Sequence, residues 1–220
     1  MSDPDLIEEP NEEEIRSRVH ERWEIARPTP NCLTWNVDLK GDNFIRKAEE
    51  YGVFGEGRTV LEIGPGYGRL LEAAVRLEMP FKRYLGVDIS EKNVQHLQEK
   101  FPDEAIRIVH GPIEFAQLGE PVDSVVSSAT LKHLYPSFEA AFQNLEPQLA
   151  PGAVMVFDLI EKHVEGKLKY WEPDGRYTCR YTRSEIEALL ERCSLELQGF
   201  DHVSHAPGPT RLLVIARKPG

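Results

Sequence analysis

Apolar residues first recur at helical spacing from Glu12 onward: Ile15, Val19, Trp23 and Ala26 fall on one face, with charges between them. Pro28 and Pro30 end that pattern, because the residue before a proline is pushed towards extended backbone. A loop through Cys32, Trp35 and Asn36 follows, and Asp42 is placed to cap a second helix carrying Phe44, Ile45 and Ala48. From Arg58 the rhythm changes to short apolar runs alternating with helical patterns. Thr59–Ile63, Tyr84–Asp88, Ile106–Val109, Val122–Ser128 and Ala153–Ile160 are predicted strands. The helices between them bury Leu70, Leu71, Ala74 and Leu77; Val94, Leu97 and Phe101 behind a Ser90 cap; and Phe138, Ala141, Phe142 and Leu145 from near Pro136 to Pro147. Strands that are apolar throughout and alternate with helices predict a parallel sheet covered on both faces. Further on, Thr182 and Glu185 fit a capping box ahead of a helix with Ile186, Leu189, Leu190 and Cys193. Leu195–Ser204 and Thr210–Arg217 then read as an antiparallel pair joined at Pro207-Gly208-Pro209.

Composition narrows the partners. Of 220 residues, 40% are hydrophobic, enough for a sizeable core. Acids outnumber bases 37 to 26, a formal charge of −11, and seven of the acids crowd residues 1–14, which hold no Lys or Arg. Phosphate backbones are gripped by clustered Lys and Arg, so a nucleic-acid partner is not expected. Three cysteines (Cys32, Cys179, Cys193) without a CxxC suit a reducing compartment. The acidic N-terminus is unlike a secretory signal, and no run approaches the ~18 apolar residues of a membrane span. A cytoplasmic protein, monomer or homodimer, is expected.

The strongest chemical signal is Glu62-Ile63-Gly64-Pro65-Gly66-Tyr67-Gly68-Arg69, between a strand and a helix. Closely spaced glycines let a ligand approach backbone with no Cβ in the way, and a helix N-terminus offers unpaired N–H groups. Asp88 ends the second strand, 20 residues beyond Gly68, where a carboxylate can take two ribose hydroxyls. A dinucleotide site has GxGxxG and seats a pyrophosphate on the helix dipole. Here the spacing is GxGxG, and the Glu62 charge would oppose a pyrophosphate but suit a cationic ligand.

These residues, with Leu149-Ala150-Pro151-Gly152 at the start of the fifth strand, resemble the class I S-adenosylmethionine-dependent methyltransferases over residues 58–217. The resemblance implies a Rossmann-like seven-stranded sheet in the order 3-2-1-4-5-7-6. Six strands are parallel and the last antiparallel, with helices on both faces. That domain spans 58–220, with 161–181 as a substrate-covering insertion, and is preceded over 1–57 by the acidic tail and helical cap. The implied cofactor is S-adenosylmethionine, released as S-adenosylhomocysteine. Gly64, Pro65, Gly66 and Gly68 would wrap its methionine part, with Glu62 acting on it. Asp88 would hold the ribose and Ile89 the adenine. Pro112 stands where the family often has an acid, so Ile113 and Glu114 would serve the adenine amine, and Ser127 would line the cofactor from strand four.

The segment after strand four, Ser127-Ser128-Ala129-Thr130-Leu131-Lys132-His133-Leu134, carries neither an Asn/Asp-Pro-Pro-Tyr nor a Pro-Cys signature. A small-molecule or glycan acceptor methylated at a hydroxyl is expected, with His133 as the candidate base. Trp35, Trp171 and Tyr177 are the candidate acceptor contacts. No metal site is expected; His110 would pack at the end of strand three, and His163, His202 and His205 would lie on the surface. The alternatives are a protein methyltransferase or a catalytically silent interaction protein.

Overall fold

The structure, a computed structural model, describes residues 11–26, 40–162, 169–171, 177–203 and 211–220, without the side chains of 169–171 and 203. The acidic tail, the loop with Cys32 and Trp35, and the turns at Pro173-Asp174-Gly175 and Pro207-Gly208-Pro209 lie outside those residues.

The chain runs α1 (Glu12–Glu24), α2 (Asp42–Glu50), β1 (Gly55–Ile63), α3 (Arg69–Arg76), β2 (Phe81–Asp88), α4 (Glu91–Lys100), β3 (Ile106–His110), β4 (Val122–Ser127), α5 (Glu139–Leu145), β5 (Leu149–Glu161), β6 (Lys169–Trp171), β7 (Tyr177–Tyr181), α6 (Arg183–Arg192), β8 (Glu196–Val203) and β9 (Arg211–Arg217). Strands β3-β2-β1-β4-β5 pair in parallel, β9 pairs antiparallel with β5, and β8 antiparallel with β9. With β9 and β8 as the seventh and sixth strands, this is the expected 3-2-1-4-5-7-6 order, only the seventh running against the rest.

A ribbon is the addition. β6 and β7 pair antiparallel, and β7 continues the sheet by two residues, Arg180 and Tyr181, against the end of β5. It falls in the 161–181 segment set apart by its polar and aromatic composition.

The period of two along each strand divides the core in two. Leu61 and Ile63 of β1, Leu85 and Val87 of β2 and Phe157 of β5 face one side, where Val19 of α1, Phe142 of α5 and Ile186 of α6 cover them. Val60, Tyr84, Val126 and Val156 face the other, under Phe44 of α2, Leu71 of α3 and Leu97 of α4. Val60, Leu61, Val125, Val126, Met155 and Val156 are fully buried, each contributing about 1.5–3 kcal/mol of transfer free energy.

Several local expectations need adjusting. β1 begins at Gly55, not at Thr59, its extra residues separated from the main ladder by a register shift between Gly55 and Thr59. Asp42 is the first residue of α2 and not its cap. Gly41, at φ +79°, takes the cap position, and the Asp42 carboxylate pairs with Arg76 of α3 instead. A Cβ on Gly41 would meet the Arg69 carbonyl oxygen at 2.8 Å, so the glycine also permits close approach to α3. The Thr182–Glu185 capping box is present in both directions.

Candidate active site

The C-terminal ends of β1, β2 and β4 open onto one cavity of about 630 Å³, the place where open α/β sheets hold ligands. The glycine turn forms its floor. Gly64, Gly66 and Gly68 have φ of +67°, +58° and +92°, values that L side chains rarely adopt. Their missing side chains have different uses. A Cβ on Gly64 would collide with Thr130 of the loop after β4, and one on Gly68 would meet Leu97 of α4 at 2.5 Å. One on Gly66 would meet nothing within 4 Å. Of the three, Gly66 is the glycine with open space above it. Gly64, Pro65 and Gly66 line the cavity; Gly68 does not, because it is the contact between the turn and α4.

Asp88 joins the turn to the second strand. Its Oδ2 accepts from the Gly66 amide at 2.8 Å, and its Oδ1 accepts from the Ser90 amide at 2.9 Å and from Asn93 Nδ2 at 3.2 Å. Burial pushes the Asp88 carboxyl up, against the pull of those donors. A carboxylate has about four acceptor positions, so one is left for a ligand. Beside it, Asn93 Oδ1 is buried without a hydrogen-bond partner, on a residue that lines the cavity. Asn93 escaped notice in the sequence, where it is an ordinary polar residue three positions after the Ser90 cap. The Ser90 hydroxyl accepts from the Asn93 amide and donates to Ala26 O at 2.8 Å, which ties the end of α1 to the start of α4.

Glu62 is 2% exposed and accepts from the Tyr84 hydroxyl at 2.7 Å. Burial drives its carboxyl up to about 7, opposed by the Tyr84 hydrogen bond and the Arg69 charge and helped by the nearby Asp88. Glu114, in a 3-10 turn (Ile113–Phe115), is buried, not solvated as a helix-start acid would be, and its Oε1 lies 3.6 Å from His20 Nε2 of α1. Burial raises the Glu114 carboxyl, but the His20 hydrogen bond, a backbone hydrogen bond and the His20 and Arg16 charges together outweigh it and hold the group below its ordinary range. Ile89 and Ile113 also line the cavity.

Ser127 lies elsewhere. Its side chain is fully buried and donates to Ile63 O at 3.0 Å, pinning β4 to β1; the next residue, Ser128, is the one on the cavity. His110 does not pack: it is exposed at the end of β3, with Nε2 3.0 Å from Ile89 O. His202 is exposed as expected, whereas His163 and His205 fall outside the described residues.

The remaining lining comes from α1, the loop after β4 and the first residues of β7 and β9. His133 sits in a 3-10 turn (Leu131–His133) with its Nδ1 2.6 Å from Tyr177 O. A carbonyl only accepts, so Nδ1 carries the hydrogen and Nε2 is left with a lone pair. The ring lies 4.7 Å from that of Trp23. Burial, reinforced by the Lys132 charge, pulls the His133 imidazole down to about 3, so it is neutral across the physiological range. Tyr177 lines the cavity and donates its hydroxyl to Pro136 O at 2.7 Å. Trp35 and the Trp171 side chain lie outside the described residues. Arg69, Lys132 and Arg211, none anticipated as site residues, also line the cavity. Among the described residues no cluster of His, Cys, Asp or Glu could hold a metal ion, and no helix is long and apolar enough to cross a membrane.

The floor fits S-adenosylmethionine: open space over Gly66, two carboxyl groups facing a ligand with an ammonium and a sulfonium, and an unpartnered acceptor beside the ribose-type acid.

Comparison with known proteins agrees. The family described as "methyltransferase domain" matches residues 13–198. Among solved structures, a Burkholderia thailandensis 1,6-didemethyltoxoflavin-N1-methyltransferase with bound 1,6-didemethyltoxoflavin and S-adenosylhomocysteine superposes with a TM-score of 0.72 at 17% identity, covering 100% of this chain and 94% of that one. The glycopeptide N-methyltransferase MtfA complexed with S-adenosyl-L-methionine gives 0.64 at 16% identity, over 82% and 95%. N-methyltransferase NodS from Bradyrhizobium japonicum gives 0.60 at 20% identity, over 82% and 94%. No protein of curated function matches the sequence. With a family match over most of the chain and the fold's cofactor floor in place, the chain belongs to the methyltransferase-domain family and is a class I S-adenosylmethionine-dependent methyltransferase.

Proposed function

We propose that the acceptor is a small molecule or glycan whose nucleophilic atom needs no strong base, foremost an acidic hydroxyl such as a phenol or enol. The observation that supports this reading is the neutral His133 on the same cavity as the glycine turn, with Nδ1 engaged and Nε2 available. S-adenosylmethionine, when bound, supplies an electrophilic methyl group on sulfur. The residues of this chain bind, orient and exclude water. Asp88 and Asn93 Oδ1 take ribose hydroxyls, the backbone of Gly64–Gly66 receives the methionine part, and Ile89, Ile113 and Glu114 face the adenine. Glu62 in its ionised form favours the cation. Trp23, Tyr177 and α1 wall the acceptor space, where alignment of reacting atoms in a dry cavity supplies much of the rate.

An imidazole pulled to about 3 is too weak to strip a proton from an aliphatic alcohol, but its Nε2 can accept a hydrogen bond from an acidic hydroxyl and polarise it. This refines the expectation of an unspecified hydroxyl. A second reading, a neutral nitrogen acceptor, is favoured by the same weak base, since an amine lone pair attacks without prior deprotonation. It also matches the N-methyl transfer named for three structural relatives. Tritiated methyl transfer to paired phenol, aliphatic alcohol and amine panels tests these readings. Turnover of aliphatic alcohols alone would overturn the assignment.

A further inference from the structure

The part of the cavity built by α1, the loop after β4 and the start of β7 is walled by flat rings. Trp23 and His133 lie with ring centroids 4.7 Å apart, and Tyr135 and Tyr177 meet edge to face at 5.1 Å. All four residues line the cavity. Such walls favour a planar guest, because aromatic rings gain from stacked and edge-on contacts with one another. The polar atoms of the rings are not equally engaged. The Tyr177 hydroxyl donates to Pro136 O, and His133 Nδ1 donates to Tyr177 O. His133 Nε2 keeps its lone pair. Trp23 Nε1 is a buried N–H without a hydrogen-bond partner among the described residues. In adjoining rings, then, one nitrogen can only accept and the other can only donate. Helical spacing brings the donor there: Val19, one turn earlier on α1, is buried in the core, and Ser90 Oγ donating to Ala26 O holds the end of the helix. A buried donor left unmet is costly, so this wall is completed by an atom that accepts from it.

We propose that Trp23 is a specificity-determining residue, its Nε1 donating to a second oxygen of the methyl acceptor while His133 Nε2 accepts from a hydroxyl of the same molecule. The class this selects is a flat ring or conjugated system bearing two oxygens close together, a dihydroxybenzene or an enol beside a carbonyl. This rests on the proposed role of His133 and narrows it from any acidic hydroxyl. A site with a fixed donor rejects the analogue that lacks the matching oxygen, because the donor is then left unmet. The cofactor has a carboxylate of its own, and it is the rival partner for Nε1.

NMR titrations of the S-adenosylhomocysteine-loaded protein separate the two. The chain has three tryptophans, and the indole N–H signal missing from Trp23→Phe belongs to Trp23. The ligands are phenol, catechol and resorcinol, with ortho- and meta-cresol carrying a methyl group in place of the second oxygen. Catechol or resorcinol should move the Trp23 N–H signal downfield and bind about tenfold or more tightly than phenol and the matching cresol. That advantage should vanish in Trp23→Phe, whose binding of S-adenosylhomocysteine reports that it is folded. Whichever isomer binds gives the spacing of the two oxygens. If Trp23→Phe does not fold, Trp35→Phe and Trp171→Phe assign the signal by elimination, and the ligand series on wild type decides. A downfield shift caused by S-adenosylhomocysteine alone, equal affinity for diphenol and cresol, or an advantage that survives Trp23→Phe would overturn the proposal. If phenol binds and the second oxygen adds nothing, only the role of Trp23 falls. If none of the phenols binds, the hydroxyl reading of the site falls, and this inference with it.

Discussion

The Tyr84 hydroxyl donates to the Glu62 carboxylate across 2.7 Å inside the sheet, where both residues share a face two register positions apart on paired strands. The contact keeps a buried acid satisfied in either protonation state, which suits a group that meets a cationic ligand only part of the time.

A pH dependence follows. Glu62 holds its proton up to about 7 in the folded protein and loses it near the ordinary 4.5 when unfolded. The raised folded value stabilises the empty protein below 4.5, and that contribution is lost as pH rises through 7, at up to about 1.4 kcal/mol per pH unit. Cofactor affinity should run the opposite way, rising from pH 6 to 8 as the carboxylate ionises, with proton release on binding. Titrations in buffers of different ionisation enthalpy measure this. Glu62→Gln should flatten the profile, and Tyr84→Phe should move its midpoint above 7 and cost about 1 kcal/mol of stability.

The glycines should separate by role. Gly64→Ala forces a Cβ into Thr130 at φ +67° and should lower thermal stability, cofactor or no cofactor. Gly66→Ala meets no protein atom within 4 Å, so its fold cost is limited to the left-handed backbone, about 1 kcal/mol. Its Cβ nonetheless occupies the space offered to the ligand. We expect S-adenosylhomocysteine affinity to fall further in Gly66→Ala than melting temperature would suggest.

Asp88 carries two tasks, and two substitutions divide them. Asp88→Asn keeps one acceptor but puts an NH₂ where a backbone amide now donates, whereas Asp88→Ala leaves the Gly66 and Ser90 amides unmet. Both should weaken cofactor binding by at least about 1.5 kcal/mol, the scale of a charged hydrogen bond. Asp88→Ala should in addition expose the glycine turn to hydrogen exchange.

His133 should make the protein sensitive to acid. Its imidazole is neutral when folded down to about 3, but takes a proton near 6.5 when unfolded. Stability is therefore lost as pH falls from 6.5 towards 3, by up to about 1.4 kcal/mol per unit. Melting curves of wild type and His133→Phe should converge as pH drops through that window. In activity assays the same substitution should lower kcat on hydroxyl acceptors more than on amines.

The residues alone determined a parallel sheet covered by helices and a site suited to a cationic, ribose-bearing ligand, while the strand order and S-adenosylmethionine itself came with the family resemblance. What the residues determined rests on local rules: apolar runs that suit buried parallel strands, helix caps at Ser90 and Thr182, and glycines where positive φ is required. The sequence also singled out Glu62, Gly66 and Asp88, which line one cavity, because a turn after a strand and an acid at the next strand end lie at fixed separations along the chain. Tertiary structure decided everything that depends on distant segments meeting. Gly68 and Ser127 belong to the motif by position but face α4 and β1, since a backbone pattern does not say which side of a turn is already packed. Glu114 is buried because α1, more than ninety residues earlier, brings His20 against it. The buried cluster around Asp158 was invisible for the same reason. Arg69, Lys132, Asp158 and Arg211 come from α3, the loop after β4, β5 and β9, and each is an unremarkable polar residue until the sheet order places their strand ends side by side.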